Sequence, residues 1–272
     1  MANAHAVRII YGTAWKKANT AHLVSMAIRQ GFRGIDTACQ PKHYDEAGVG
    51  AGVAACLNGA LTRADLYLQT KFTPFSGQDP LKIPYDPKAP LSDQVAQSLA
   101  VSLRNLRTNY LDCLILHSPL ANSKQTLEAW RAMESLLAGG SIRCLGISNC
   151  YQLGDLQALF QSALIKPAVV QNRFFADTRY DREIRAFCGQ QRIIYQSFWT
   201  LTANPHLLAH AAITGLAAQY GRTPAQILFR YLTQSDVVPL TGTRSESHMR
   251  EDLGIFEFEL SASEREAVHA LL

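Results

Sequence analysis

Four titratable side chains stand where apolar runs stop. Asp36 closes the run RGID, Lys71 comes next to last in LYLQTKF, and His117 closes LDCLILH. Tyr44 follows Asp36 by eight residues in the stretch GIDTACQPKHYDEAGVG. Together they offer a carboxylate, an ammonium, an imidazole and a phenol, the groups that acid–base catalysis uses. Lys71 alone could instead form a Schiff base, which requires it to be unpaired and desolvated. A charge buried at the end of an apolar run is costly unless paired, and Asp36 and Lys71 can pair if their runs are neighbouring strands. Singly, each residue has a plainer reading, a stabilising ion pair or a capped core histidine. Four such groups converging on one face favour a functional site.

The elements that must position them form one alternating series. Strand-like runs are expected at 7–12, 33–36, 66–72, 111–117, 142–148, 168–172, 192–198 and 237–240. Most are continuously apolar, as in strands covered on both faces. Amphipathic stretches lie between them at 20–30, 47–58, 92–106, 123–139, 151–163, 181–190, 206–220, 224–234 and 245–253. Strand and helix in regular alternation imply parallel strands joined by right-handed crossovers. Eight such units over residues 1–272 predict one α/β domain, a closed (β/α)8 TIM barrel, with its active site at the C-terminal ends of the strands. The segment TPFSGQDPLKIPYDPKAPLS carries five prolines and is read as a site-shaping loop or a surface linker.

Composition narrows the function classes. The chain is 47% hydrophobic and 18% charged with a net charge of +4, which provides for a full core and slightly favours an anionic small ligand. No Lys/Arg block suggests nucleic acid, and no apolar run is long enough to span a membrane. MANAHAVRII lacks the pattern of a signal peptide, so a cytoplasmic protein is expected. Cys39, Cys56, Cys113, Cys144, Cys150 and Cys188 form no CxxC pair and read as buried reduced thiols, with no metal site. Gly50-Ala51-Gly52-Val53-Ala54-Ala55 fits a GxGxxA dinucleotide spacing, but no strand precedes it. These glycines are read as helix packing against the barrel wall. Nothing in the sequence specifies an oligomeric state.

Seven short motifs in order carry a family resemblance: GTAW, IDTA followed by a tyrosine and VG, QTK, LILHSP, GISN, VVQN and REDL. From Gly12 to Leu253 the chain resembles the aldo-keto reductases. The resemblance implies a barrel that binds NADP(H), with NAD(H) an alternative, and moves a hydride between that cofactor and a small carbonyl compound or the corresponding alcohol. It implies that Tyr44 is the general acid, that Lys71 lowers its pKa, that Asp36 holds Lys71 and that His117 orients the substrate carbonyl. Ser148, Asn149 and Gln171 would bind the nicotinamide carboxamide and Phe198, with Trp199 as rival, would stack on its ring. Thr13, Ala14 and Trp15 would line the cofactor and substrate mouth, Trp15 on the substrate side. A cofactor-binding but idle regulatory barrel is the main alternative, and a Schiff-base lyase using Lys71 the lesser one.

The chain also departs from the family pattern. The lysine of the phosphate-binding Pro-Lys-Ser is absent, since Leu240 follows Pro239 and precedes Thr241. His248 stands at the expected arginine. Thr241, Thr243, Arg244 or Arg250 would compensate, and Glu251 with Asp252 resembles the adenine-contacting pair. Few residues precede the first strand, so the usual N-terminal hairpin plug is expected to be missing. The tail after the barrel is short, which implies an open pocket. Pro41 occupies the usual tyrosine spacing, and Tyr44 arrives after about three inserted residues. His43 is its rival as proton donor.

Overall fold

Eight parallel strands close on themselves in sequence order in the computed structural model, which describes residues 7–272. They are β1 (Ile10–Gly12), β2 (Gly34–Asp36), β3 (Tyr67–Phe72), β4 (Cys113–Leu116), β5 (Leu145–Ser148), β6 (Val169–Arg173), β7 (Ile194–Phe198) and β8 (Val237–Thr241). Register runs around the ring through pairs such as Gly12 with Asp36, Asp36 with Gln69, and Ser148 with Gln171. The expected (β/α)8 barrel is therefore present. The expectation about a missing hairpin concerns residues 1–6 as well, and these lie outside the described residues.

The helices cover the barrel by their apolar stripes. In α1 (Thr20–Gln30), Leu23, Val24, Ala27 and Ile28 are buried, the spacing of one helical face. The series continues with α2 (Glu46–Ala54), α3 (Leu91–Leu106), α4 (Ser123–Ala138), α5 (Leu153–Ser162) and α6 (Arg182–Gln191). The stretch 206–220, expected as one helix, is two: α7 (Pro205–Leu208) and α8 (Ala211–Tyr220). His210 breaks it by taking an extended conformation and accepting the Ala212 N–H on its ring. Then come α9 (Pro224–Thr233), α10 (Glu246–Leu253) and α11 (Ala262–His269).

The glycines of α2 work differently from expectation. A Cβ at Gly50 would strike the backbone of Asn105 and Leu106, and one at Gly52 would lie 2.6 Å from the Ala21 carbonyl. They let α2 settle against α3 and α1, its helical neighbours, rather than against the barrel wall. Inside the barrel Ile10, Tyr67, Cys113, Ile115 and Val169 fill the lower layer. All six cysteines are free thiols. No helix among the described residues is long and apolar enough to cross a membrane.

Candidate active site

Above that apolar layer the barrel holds a closed polar one. Lys71 Nζ donates to Asp36 Oδ1 and Oδ2 at 2.6 and 2.7 Å and to the Thr37 carbonyl at 2.9 Å. All three ammonium protons thus have acceptors. Asp36 Oδ1 also accepts from Gln69 Nε2 (2.7 Å) and Gln171 Nε2 (2.9 Å), and both amides donate to Gln196 Oε1. Gln196 returns a bond to Gln69 Oε1. An ion pair and three glutamines, each nearly inaccessible, satisfy one another, as buried polar groups must. Gln69 and Gln196 escaped the sequence reading. Their signal is a glutamine inside a strand-like run, at registers beside Asp36 and Gln171.

Tyr44 reaches this layer despite its longer loop. Beyond Asp36 the chain keeps pairing with β3: Cys39 N–H donates to the Lys71 carbonyl. Gln40 is pinned through its amide to the Gly77 carbonyl, and both His43 and Tyr44 N–H donate back to the Gln40 carbonyl. This turn, with Pro41 in it, folds up the inserted residues and sets Tyr44 just ahead of α2. Glu46 anchors the start of that helix by accepting from Thr70 and Ser102 hydroxyls. The Tyr44 ring lies 6.0 Å from the His117 ring and 5.4 Å from Lys71 Nζ, centroid to atom.

The expected effect of Lys71 on Tyr44 is not what the geometry gives. No hydrogen bond joins them, because the ammonium protons are spent on Asp36 and Thr37. Burial, reinforced by the Asp36 charge, pushes the Tyr44 phenol above its ordinary value. Burial likewise pulls Lys71 down, against the attraction of Asp36. A fully engaged ammonium is also a poor Schiff-base nucleophile, which argues against the lyase alternative. His117 is held well below the usual imidazole range by burial, then by Lys71 and His43, so it is neutral. Its Nδ1 lies 2.6 Å from the Thr73 hydroxyl. The proline-rich segment does not line the cleft; Gln78 and Tyr85 from it hold the Thr73 carbonyl.

A cleft of ≈ 1130 Å³ opens over the C-terminal ends of the strands. Its deep part is lined by Asp36, Tyr44, His117, Ser148, Asn149, Gln171 and Phe198. Ser148 Oγ donates to the Gln171 carbonyl, and Asn149, at φ 53, donates to the His117 carbonyl. Both amide protons of Gln171 being used, its Oε1 is what that side chain can offer a ligand. Trp15, 47% exposed, stacks on His43 at 3.9 Å on the wall. Trp199 also lines the cleft, beneath the Arg173 guanidinium, 4.3 Å from its ring.

The outer part is lined by Ala14, Lys16, Thr241, Thr243, Arg244, His248, Glu251 and Asp252. Thr13 does not line it, being fully buried and donating to the Asp36 carbonyl. Thr241 spends its hydroxyl on Asp252 at 2.7 Å. Arg250 pairs with Glu246 and lies outside the cleft lining, whereas Arg244 is within it. Lys16 was missed because it reads as one more charge in GTAWKK. The donor set, amide and aromatic groups at one end and cations at the other, fits an elongated ligand with a planar ring and phosphates, as a nicotinamide dinucleotide has.

A family model described as Aldo/keto reductase family matches residues 8–272. YtbE, an uncharacterized oxidoreductase of Bacillus subtilis (strain 168), is 30% identical over 250 residues, 91% of this chain and 82% of its own length. Glyoxal reductase of the same strain is 30% identical over 249 residues, with 91% and 82% covered. Among solved structures, an aldo/keto reductase from Brucella melitensis has a TM-score of 0.82 at 24% identity, over 97% of this chain and 95% of that one. A Bombyx mori aldo-keto reductase in complex with NADP has a TM-score of 0.80 at 24% identity, over 97% and 88%.

Proposed function

The chain belongs to the aldo/keto reductase family, and we propose that it is a carbonyl reductase using NADP(H) in which Tyr44 delivers the proton. The observation that carries this reading is the placement of Tyr44 on the cleft floor, between neutral His117 and the Asp36–Lys71 pair. When bound, the dinucleotide supplies the hydride that reduces the carbonyl carbon. Ser148, Asn149 and the free Oε1 of Gln171 hold its carboxamide, and Phe198 packs on the ring. Thr243, Arg244 and Glu251 attend its far end, with Thr241 and Asp252 supporting through their mutual hydrogen bond.

Tyr44 gives its phenolic proton to the carbonyl oxygen. Burial keeps the phenol protonated at neutral pH, the state a general acid needs. Lys71 does not activate it by a direct hydrogen bond. Its charge, 5.4 Å from the ring centroid, instead stabilises the phenolate left after donation. His117 donates from the ring nitrogen that Thr73 does not hold, fixing the carbonyl oxygen next to Tyr44. Trp15 and His43 form the substrate wall. His43 stacks on Trp15, whereas it is the Tyr44 ring that lies against Lys71 Nζ, so His43 is the weaker choice of acid.

The relative named glyoxal reductase suggests a small dicarbonyl as first substrate. NADPH consumption with glyoxal should be catalysed by the wild type and fall by about 10²–10⁴-fold in Tyr44→Phe, while NADPH still quenches its fluorescence. Equal turnover in the two proteins sinks the assignment of Tyr44. Cofactor binding without turnover of any aldehyde in the wild type supports the idle barrel instead.

A further inference from the structure

Two cations meet across the cleft rim in a reciprocal arrangement. Lys16, from the loop after β1, donates through Nζ to the Gly242 carbonyl in the loop after β8. Arg244, from the loop after β8, donates to the Trp15 carbonyl in the loop after β1. Each crosses to the other's loop, and the ion pairs of the described residues include neither. Lys16 is 4% exposed and lines the cleft. The Tyr11 ring, 5.6 Å from Nζ, backs it, and the Tyr11 hydroxyl donates to the Thr243 carbonyl at 2.8 Å.

A buried ammonium beside a second cation, with only a carbonyl dipole as partner, is an electrostatically poor arrangement for the fold alone. Burial and the Arg244 charge pull the Lys16 pKa down to about 8. Such a pair is suited to an anion that bridges it from the cleft. The same corner is where the chain lacks a lysine, Leu240 standing after Pro239.

We propose that Lys16, with Arg244, grips a phosphate group of the bound dinucleotide, supplying from the loop after β1 the lysine that the segment after Pro239 lacks. This rests on the dinucleotide reading above. The phosphate is either the adenosine 2′-phosphate, found only in NADP(H), or the pyrophosphate common to both dinucleotides.

The test is equilibrium titration of wild type, Lys16→Met and Lys16→Arg with NADPH and with NADH, read by tryptophan quenching, since Trp15 and Trp199 line the cleft. Lys16→Met should weaken binding by about ten- to a hundredfold, and Lys16→Arg should recover most of it. Weakening confined to NADPH identifies the 2′-phosphate, and weakening of both dinucleotides identifies the pyrophosphate. If Lys16→Met binds both within about twofold of wild type, the proposal is overturned while the dinucleotide reading stands. If wild type binds neither, both fall together. A competition on wild type requires no variant: adenosine 2′-monophosphate or inorganic pyrophosphate should displace NADPH better than adenosine does. Failure of both anions to do so overturns the proposal even if Lys16→Met cannot be folded.

Discussion

Lys71 and Lys16 are both buried lysines at the mouth of the barrel, and they are held in opposite ways. Lys71, 1% exposed, has a carboxylate and a carbonyl for its three protons. Around it Asp36, Gln69, Gln171 and Gln196 complete a network anchored on strands. Lys16 has a single carbonyl, a cation for a neighbour and an aromatic ring behind it, on loops that the two cations themselves tie together. Burial lowers the pKa of both. The difference is that one charge is balanced inside the fold and the other is left for something outside it. A paired buried charge builds a scaffold, and an unpaired one at a cleft is a site.

The largest expected effect follows from breaking the balanced pair. Lys71→Met leaves Asp36 as an uncompensated buried carboxylate and should cost roughly 3–5 kcal/mol of unfolding free energy in denaturant titration. The double variant Asp36→Asn with Lys71→Met should regain much of that loss, because no buried charge is left. Lys16→Met, by contrast, should leave the midpoint unchanged or raise it. If Lys16→Met destabilises as much as Lys71→Met, the contrast between the two lysines does not hold.

The scaffold was legible in the sequence and the loop site was not. Strand order, barrel closure and the convergence of Asp36, Lys71, His117 and Tyr44 follow from apolar runs that end in polar residues, a pattern the backbone enforces. Gln69 and Gln196 are readable in the same way, as polar intruders at matching registers. The Tyr44 loop needed its tertiary ties: nothing local to CQPKH says that Cys39 goes on pairing with β3 or that Gln40 reaches Gly77. The Tyr44 pKa rises rather than falls because Lys71 spends its protons on Asp36 and Thr37, and burial, with the Asp36 charge, outweighs the pull of the ammonium. Lys16 was invisible because burial of a loop lysine depends on the far loop after β8, some 226 residues away.

A smaller effect probes how the scaffold orients a group facing the cleft. The Thr73 hydroxyl makes no other hydrogen bond among the described residues than the one to His117 Nδ1. It therefore donates there and places the imidazole proton on Nε2. Thr73 would thus be a positioning residue acting through His117. Thr73→Val should lower kcat by about two- to tenfold, the worth of one hydrogen bond, with NADPH binding unchanged, and Thr73→Ser should restore it. A loss that Thr73→Ser fails to rescue would point to packing at the end of β3 instead.

A pH-dependent effect carries the same contrast over to carboxylates. Asp36 has a lysine, whereas buried Asp252 has the Thr241 hydroxyl at 2.7 Å and only the more distant influence of His248. Burial raises its pKa from 3.8 to about 6 in the folded chain. The folded state therefore binds this proton more tightly than the unfolded one does. The stabilisation is fully present below 3.8 and is lost as pH rises through about 6. Asp252→Asn keeps an acceptor for Thr241 and removes the charge. The variant should thus gain on the order of 1–2 kcal/mol over wild type at pH 7, shrinking toward zero as pH falls to about 4. Thermal midpoints of the two ligand-free proteins across that range would show it. A variant less stable than wild type at neutral pH would mean that Asp252, like Asp36, is balanced by a partner within the fold.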